Sequence, residues 1–209
     1  MKNLETLLKE YEDHVADRAT KGIPPLPLNA EQTNCVSTLL EEDTSLNNSY
    51  LLDLIINRVP PGVDEAAYVK ASWLTALVNS EKTCKYINPG QAIELLGTMI
   101  GGYNVNALVD ILKRKNNILA KKAAQVLKHI ILVYDSANDI YELSQNNIYA
   151  KEVINSWANA EWFKYKKIIP EEITCIAFKI DGETNTDDLS PAVHATSRPD
   201  IPMHALSML

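Results

Sequence analysis

The sequence predicts a mainly α protein, with seven or eight helices of modest length stacked as antiparallel pairs in an α-solenoid or irregular bundle, followed by a short β segment. Three observations predict it. Apolar residues recur at helical spacing from residue 1 to about 165. Capping and breaking residues punctuate that pattern at short intervals. At Pro170 the helical period gives way to an alternating one. No exact repeat is visible, so the stacking follows from short helices and short loops rather than from internal similarity.

The first helix carries Leu4, Leu7, Leu8, Tyr11 and Val15 on one stripe. "KGIPPLPL" stops it, with Gly22 suited to a C-terminal cap and three prolines that remove backbone donors. A second helix starts at Asn29 as N-cap with Gln32 three residues on, and its stripe is Gln32, Cys35, Val36 and Leu39. A third runs through Leu51, Leu54 and Ile55. "RVPPGVDEAAYV" is a turn into a fourth, where Ala67, Ala71, Leu74 and Val78 repeat at helical spacing and Tyr68 and Trp73 add bulk beside them. That helix is expected to be buried on more than one side.

"NPGQAIELLGTMIGGY" places Asn88 as N-cap, Pro89 at the first helical position, Gln91 at the third, and Gly101 and Gly102 where the helix should end. Ala92, Leu95, Leu96 and Met99 form its buried stripe. After a shorter helix from Val105 to Leu112, "NNILAKKAAQVLKHIILVY" aligns Leu119, Ala123, Val126, Leu127, Ile130 and Tyr134 over about four turns. Ala150, Val153, Ile154 and Trp157 belong to a last helix that ends in "AEWF". "ITCIAFKI" then alternates and is β-branched, so Ile173 to Ile180 is predicted as a strand that opens a new domain. A lone strand leaves an unpaired edge, and the chain is therefore expected to stop inside its second domain.

With 209 residues, 46% of them hydrophobic, one or two domains with a real core are within reach. A net charge of −7 and a pI near 5.1 argue against a dedicated nucleic-acid binder, which needs a basic face to neutralise phosphates. No run approaches the roughly 20 apolar residues that span a bilayer. "MKNLETLLKEYEDHVADRA" carries acids where a secretory signal needs an apolar stretch, so a cytoplasmic location is expected. Cys35, Cys84 and Cys175 lie far apart with no C-x-x-C pair, a pattern that suits a reducing compartment and gives no local metal or disulfide signature.

The chemistry-bearing stretch is "GETNTDDLSP". Gly182 suits a tight turn, Thr184, Asn185, Thr186 and Ser190 offer short hydrogen-bonding groups, and Asp187 and Asp188 are adjacent carboxylates. Composition alone favours an Asx or Ser/Thr turn over a ligand loop. Arg198 has the fork geometry to clamp a carboxylate. His14 and His129 fall within helical patterns, while His194 and His204 flank the loop without a third ligand at metal spacing. Lys113 to Lys115 and Lys164 to Lys167 are basic runs suited to solvated helix ends.

"RVPPGVDEAAYVKA", "AIELLGTMIGGYNV", "SWANAEWF" and "FKIDGETNTDDLSPA" followed by "SRPDIPMHA" together resemble the N-terminal part of the bacterial aconitate hydratase B family, the bifunctional aconitate hydratase 2 / 2-methylisocitrate dehydratases. The resemblance covers essentially the whole chain. It implies a HEAT-like helical domain over residues 1–165 and the beginning of a truncated β/α swivel domain over 166–209. It also implies a full-length lyase of the tricarboxylic acid cycle that interconverts citrate and isocitrate through cis-aconitate with a [4Fe-4S] cluster. Arg198 then takes the place of an arginine that binds a substrate carboxylate, while Thr186, Asp187, Asp188 and Ser190 match the family's loop motif and shape the loop rather than catalyse. The cluster's cysteines and the catalytic serine belong to the family's C-terminal part, so the chain by itself should bind no cluster and be inactive. The remaining aconitase domains are its expected partners, with a homodimer, protein partners or RNA as the alternative roles of the helical domain as a stand-alone interaction module.

Overall fold

A computed structural model describes residues 4–20, 25–43, 47–114, 118–164, 170–175, 182–190 and 192. The architecture is mainly helical. The helices are α1 (Leu4–Thr20), α2 (Ala30–Glu42), α3 (Asn48–Asn57), α4 (Glu65–Val78), α5 (Pro89–Leu96), α6 (Val105–Leu112), α7 (Ile118–Leu127), α8 (Ser136–Ser144), α9 (Ile148–Ala158), α10 (Glu161–Lys164) and α11 (Thr186–Leu189). Among the described residues there is no β-strand.

Packing runs along the chain. Helix α2 lies against α1, α3 and α4; α4 against α5; α5 against α7; α7 against α6 and α9; α8 against α6 and α9; and α9 against α10. Buried apolar side chains from Leu7 in α1 to Val153 in α9 form one continuous core. Each fully buried Leu or Ile in it contributes about 2 kcal/mol of transfer free energy. Trp73 and Lys70 of α4 are both buried, which makes α4 the helix enclosed on several sides.

Helix starts follow the local signals. Asn29 accepts from the Gln32 N–H at 2.9 Å while the Gln32 side chain accepts from the Asn29 N–H at 3.0 Å. Asn88 and Gln91 repeat that reciprocal arrangement at 2.9 Å in both directions, with Pro89 at the first helical position.

Helix ends are closed from a distance. The last carbonyls of a helix have no partner within it. Here later residues supply the donors: Lys70 Nζ reaches Ile56 O at 3.1 Å, Asn104 Nδ2 reaches Leu96 O at 2.7 Å and Met99 O at 3.1 Å, Asn147 Nδ2 reaches Leu112 O at 2.9 Å, and the Trp157 indole N–H reaches Leu127 O at 3.0 Å. Each bond ties a helix end to an element that comes after it.

Several predicted boundaries move for this reason. Helix α5 ends at Leu96 with Gly97 as C-cap, not at Gly101 and Gly102, because Asn104 takes up the carbonyls of Leu96 and Met99. Helix α7 ends at Leu127 instead of running four turns, and Tyr134 is exposed in a left-handed conformation with φ 51°. Helix α8 has no counterpart among the predicted elements, since Ile140 is its only fully buried apolar residue. Of the predicted strand, Ile173 to Cys175 are exposed coil, and residues 176–180 lie outside the described residues, as does Gly22.

The C-terminus of α2 carries a polar lock. Asp43, in the left-handed region at φ 51°, receives the Tyr86 hydroxyl on Oδ1 and Lys85 Nζ on Oδ2 at 3.2 Å. Those bonds, Tyr86 first, hold the Asp43 carboxyl below the ordinary carboxylate range and in turn raise the Tyr86 phenol and the Lys85 ammonium.

Candidate functional site

The polar stretch singled out by sequence folds into one short turn of helix, α11. Asn185 is its N-cap, with Oδ1 accepting the N–H groups of Asp187 at 2.7 Å and Asp188 at 3.0 Å. Asp188 Oδ2 returns the bond to the Asn185 N–H at 2.9 Å. The Ser190 N–H closes the turn on Thr186 O at 2.7 Å. Gly182 precedes it at φ 95°, where a side chain would be strained.

This geometry assigns distinct jobs to the candidates. Asp188 is occupied in holding the turn, and Asn185, in sequence one polar residue among several, is the cap that organises it. Thr186, Asp187 and Asp188 are exposed, and Ser190 is half-buried. The turn therefore offers an Asp187 carboxylate and a Thr186 hydroxyl to solvent. It carries no cation of its own, so a carboxylate ligand here needs a guanidinium or ammonium from elsewhere. Arg198, His194 and His204 lie outside the described residues.

The cysteines do not fit an iron–sulfur centre. Cys35 is buried in the core face of α2, where burial first and the nearby Glu31 second push its thiol up, away from the thiolate a cluster requires. The half-buried Cys84 directs Sγ at Leu40 O, 3.7 Å away, and Cys175 is exposed. Among the described residues no three of His, Cys, Asp and Glu are placed to hold a metal ion. His14 accepts from the Leu26 N–H at 3.0 Å, and Lys113 pairs with Asp110 at 2.9 Å, both within the scaffold.

Sequence reasoning missed a concave surface. The α5–α6 connection and the extended residues after α7 enclose a groove of about 140 Å³ lined by Met99, Ile100, Asn104, Ile130, Ile131 and Leu132, with Gly97 and His129 beside them. The double glycine of "IGGY" is its one sequence signal: a Cβ on Gly101 would lie 1.9 Å from Gly62 O, so two turns pass in backbone contact at the groove's edge.

Comparison with known proteins agrees with the tandem order of helical segment and polar turn. The family described as "Aconitate B N-terminal domain" matches residues 10–163, and that described as "Aconitate hydratase 2 N-terminus" matches residues 175–209. The chain is 55% identical over 203 residues to aconitate hydratase B of Synechocystis, covering 97% of this chain and 23% of that protein. It is 53% identical over 204 residues to aconitate hydratase B of Pseudomonas aeruginosa and 51% over 204 residues to that of Escherichia coli, with the same two coverages. The chain thus spans 23% of the length of these curated relatives.

Proposed function

The chain belongs to the aconitate B N-terminal domain family, and from that premise we propose that it is the N-terminal part of an aconitate hydratase B, a cytoplasmic hydro-lyase that interconverts citrate and isocitrate through cis-aconitate. The observation that carries this reading is the order of the two family matches, which run in sequence through the chain with about half of its residues identical to each relative.

Within that reading, residues 1–165 are a HEAT-like helical domain and residues 166–209 begin a swivel domain. The helix-by-helix packing supports the first assignment, because each helix lies against near neighbours in the chain, as in stacked helical pairs. Arg198 is the residue that grips a substrate carboxylate. The Asn185–Asp188 box fixes the turn that precedes it, with Thr186, Asp187 and Ser190 shaping its face. Holding a tricarboxylate in one orientation is the contribution such a wall makes to dehydration and rehydration.

The full enzyme of this family implies a [4Fe-4S] cluster, and the cysteines of this chain do not fit one. On this reading the chain by itself contributes binding and positioning rather than turnover. Among the described residues no helix is long and apolar enough to cross a membrane.

The test is an aconitase assay of the 209-residue chain and of a hybrid in which it replaces the matched segment of the Escherichia coli relative, both after anaerobic iron and sulfide reconstitution. An inactive chain and an active hybrid are expected. A hybrid that folds and acquires its cluster absorbance yet does not convert citrate would overturn the reading, and so would turnover by the chain alone.

A further inference from the structure

The groove between α5, α6 and the segment after α7 is the centre of a larger apolar face. Ile100 and Gly101 donate their N–H groups to Pro61 O at 2.9 and 3.2 Å, which brings the turn before α4 alongside. There the Tyr103 hydroxyl donates to Val63 O at 3.0 Å, and its ring meets Tyr68 edge-on at 5.4 Å. On the other side the Tyr134 ring covers Gly102, where a Cβ would lie 3.1 Å from Cε2. Val63, Tyr68, Ile100, Tyr103, Leu132 and Tyr134 are each between 40% and 73% exposed. Six adjoining large apolar side chains, half of them tyrosine, are the composition of an interaction site rather than of ordinary surface.

The groove itself specifies what it takes. Asn104 forms its floor and is fully buried, with both bonds of Nδ2 spent on helix-end carbonyls and no partner for its Oδ1 among the described residues. Among the described residues no Lys or Arg lines the groove, so a tricarboxylate or a phosphate finds no guanidinium or ammonium there. Its walls suit an uncharged aliphatic side chain. Asp64, Glu65 and Asp135 flank the patch in sequence, and neither Asp64 nor Asp135 uses its carboxylate to cap its own helix. These acids favour a segment that carries Lys or Arg and disfavour a second copy of the same face, which would oppose like charges.

We propose that this face seats another part of the longer aconitase polypeptide: an apolar side chain fills the groove, its neighbours cover the exposed tyrosines, and basic residues beside it meet Asp64, Glu65 and Asp135. The inference rests on the reading of the chain as the N-terminal part of a longer enzyme. Most of each relative lies outside the matched segment. A segment of the same polypeptide meets this face as an intramolecular partner, at an effective concentration that a separate protein does not have. Tyr134 fits the same role, since a bulky residue held at positive φ places its ring on the face at a conformational cost.

Hydroxyl-radical footprinting of Tyr68, Tyr103 and Tyr134 tests this in the chain alone and in the hybrid with the Escherichia coli relative. Labelling of all three should fall about fivefold or more in the hybrid, as water is excluded from an interface core, while Tyr141 on α8 stays unchanged. Leu132→Asp, in which an exposed residue is altered and the chain's own melting temperature should hold, should restore the labelling of Tyr103 and Tyr134 in the hybrid. Unchanged labelling in an active hybrid overturns the docking and leaves the proposed function standing. Protected tyrosines in an inactive, cluster-loaded hybrid do the reverse. Protection in the chain alone that grows with its concentration assigns the face to a second copy and overturns the inference.

Discussion

The indole N–H of Trp73 donates to Glu41 Oε1 at 2.8 Å, and the same carboxylate oxygen receives Lys82 Nζ at 2.6 Å. One acid on α2 thus satisfies a buried donor of α4 and pins the loop beyond it.

Removing that acid should cost more than a surface salt bridge. Glu41→Ala leaves the Trp73 N–H buried without a partner, a loss of about 1–3 kcal/mol. Glu41→Gln keeps an acceptor oxygen and loses only the exposed pairing with Lys82, at about 0.5 kcal/mol. Urea unfolding of the two variants measures the difference; equal destabilisation would show that the pairing with Lys82, not the bond to Trp73, matters.

Asn104→Ala should destabilise by about 2–3 kcal/mol, because two helix-end carbonyls lose their donor inside the core. Asn104→Asp is expected to be at least as harmful, since it places a carboxylate against the same carbonyls. Thermal unfolding followed by circular dichroism reports both. A neutral Asn104→Ala would mean that water caps α5 equally well.

Gly101→Ala should be the most damaging glycine substitution in the helical region. Its Cβ would lie 1.9 Å from Gly62 O and 2.9 Å from Val63 N, both backbone atoms that cannot rotate away. A cost of about 3 kcal/mol or more is expected, in the range of severe overpacking. Gly97→Ala presses chiefly on the Val126 side chain and should cost less. Comparing the midpoints of their denaturant transitions decides the ranking.

The Asp43 lock gives stability a definite pH dependence. The carboxyl is held below its ordinary range, so its contribution is present above about pH 4 and lost as acid protonates it through the lower folded value. Tyr86 and Lys85 are raised, so theirs is present below about pH 10 and lost above it. The groups lie at the surface, and the effect should shrink with salt. The melting-temperature gap between wild type and Asp43→Asn should be flat from about pH 5 to 9 and close at both extremes. A gap that widens in acid contradicts this.

How much of the fold is legible in sequence depends on how local the cause is. The starts of α2 and α5 can be read because Asn29 with Gln32, and Asn88 with Gln91, satisfy one another three residues apart. The end of α7 cannot, since the donor on Leu127 O is an indole 30 residues later, and nothing near residue 127 announces it. The turn at Thr186–Leu189 is recognisable as polar and turn-forming, but the bonding role of Asn185 emerges only with the backbone in place. The apolar face is invisible in sequence because Val63, Tyr103 and Tyr134 become neighbours only when three connections meet around Gly101 and Gly102.

The closing of helix ends from later in the chain also sets an order for synthesis on the ribosome. When residue 96 has emerged, α5 has its start fully bonded and its end open; Asn104 completes it within eight residues, whereas α6 must wait for Asn147, 35 residues on. Translation through "NNILAKKAAQVLKHI" therefore proceeds with α6 exposed and unfinished, and a chaperone that holds nascent apolar helices has its longest opportunity there.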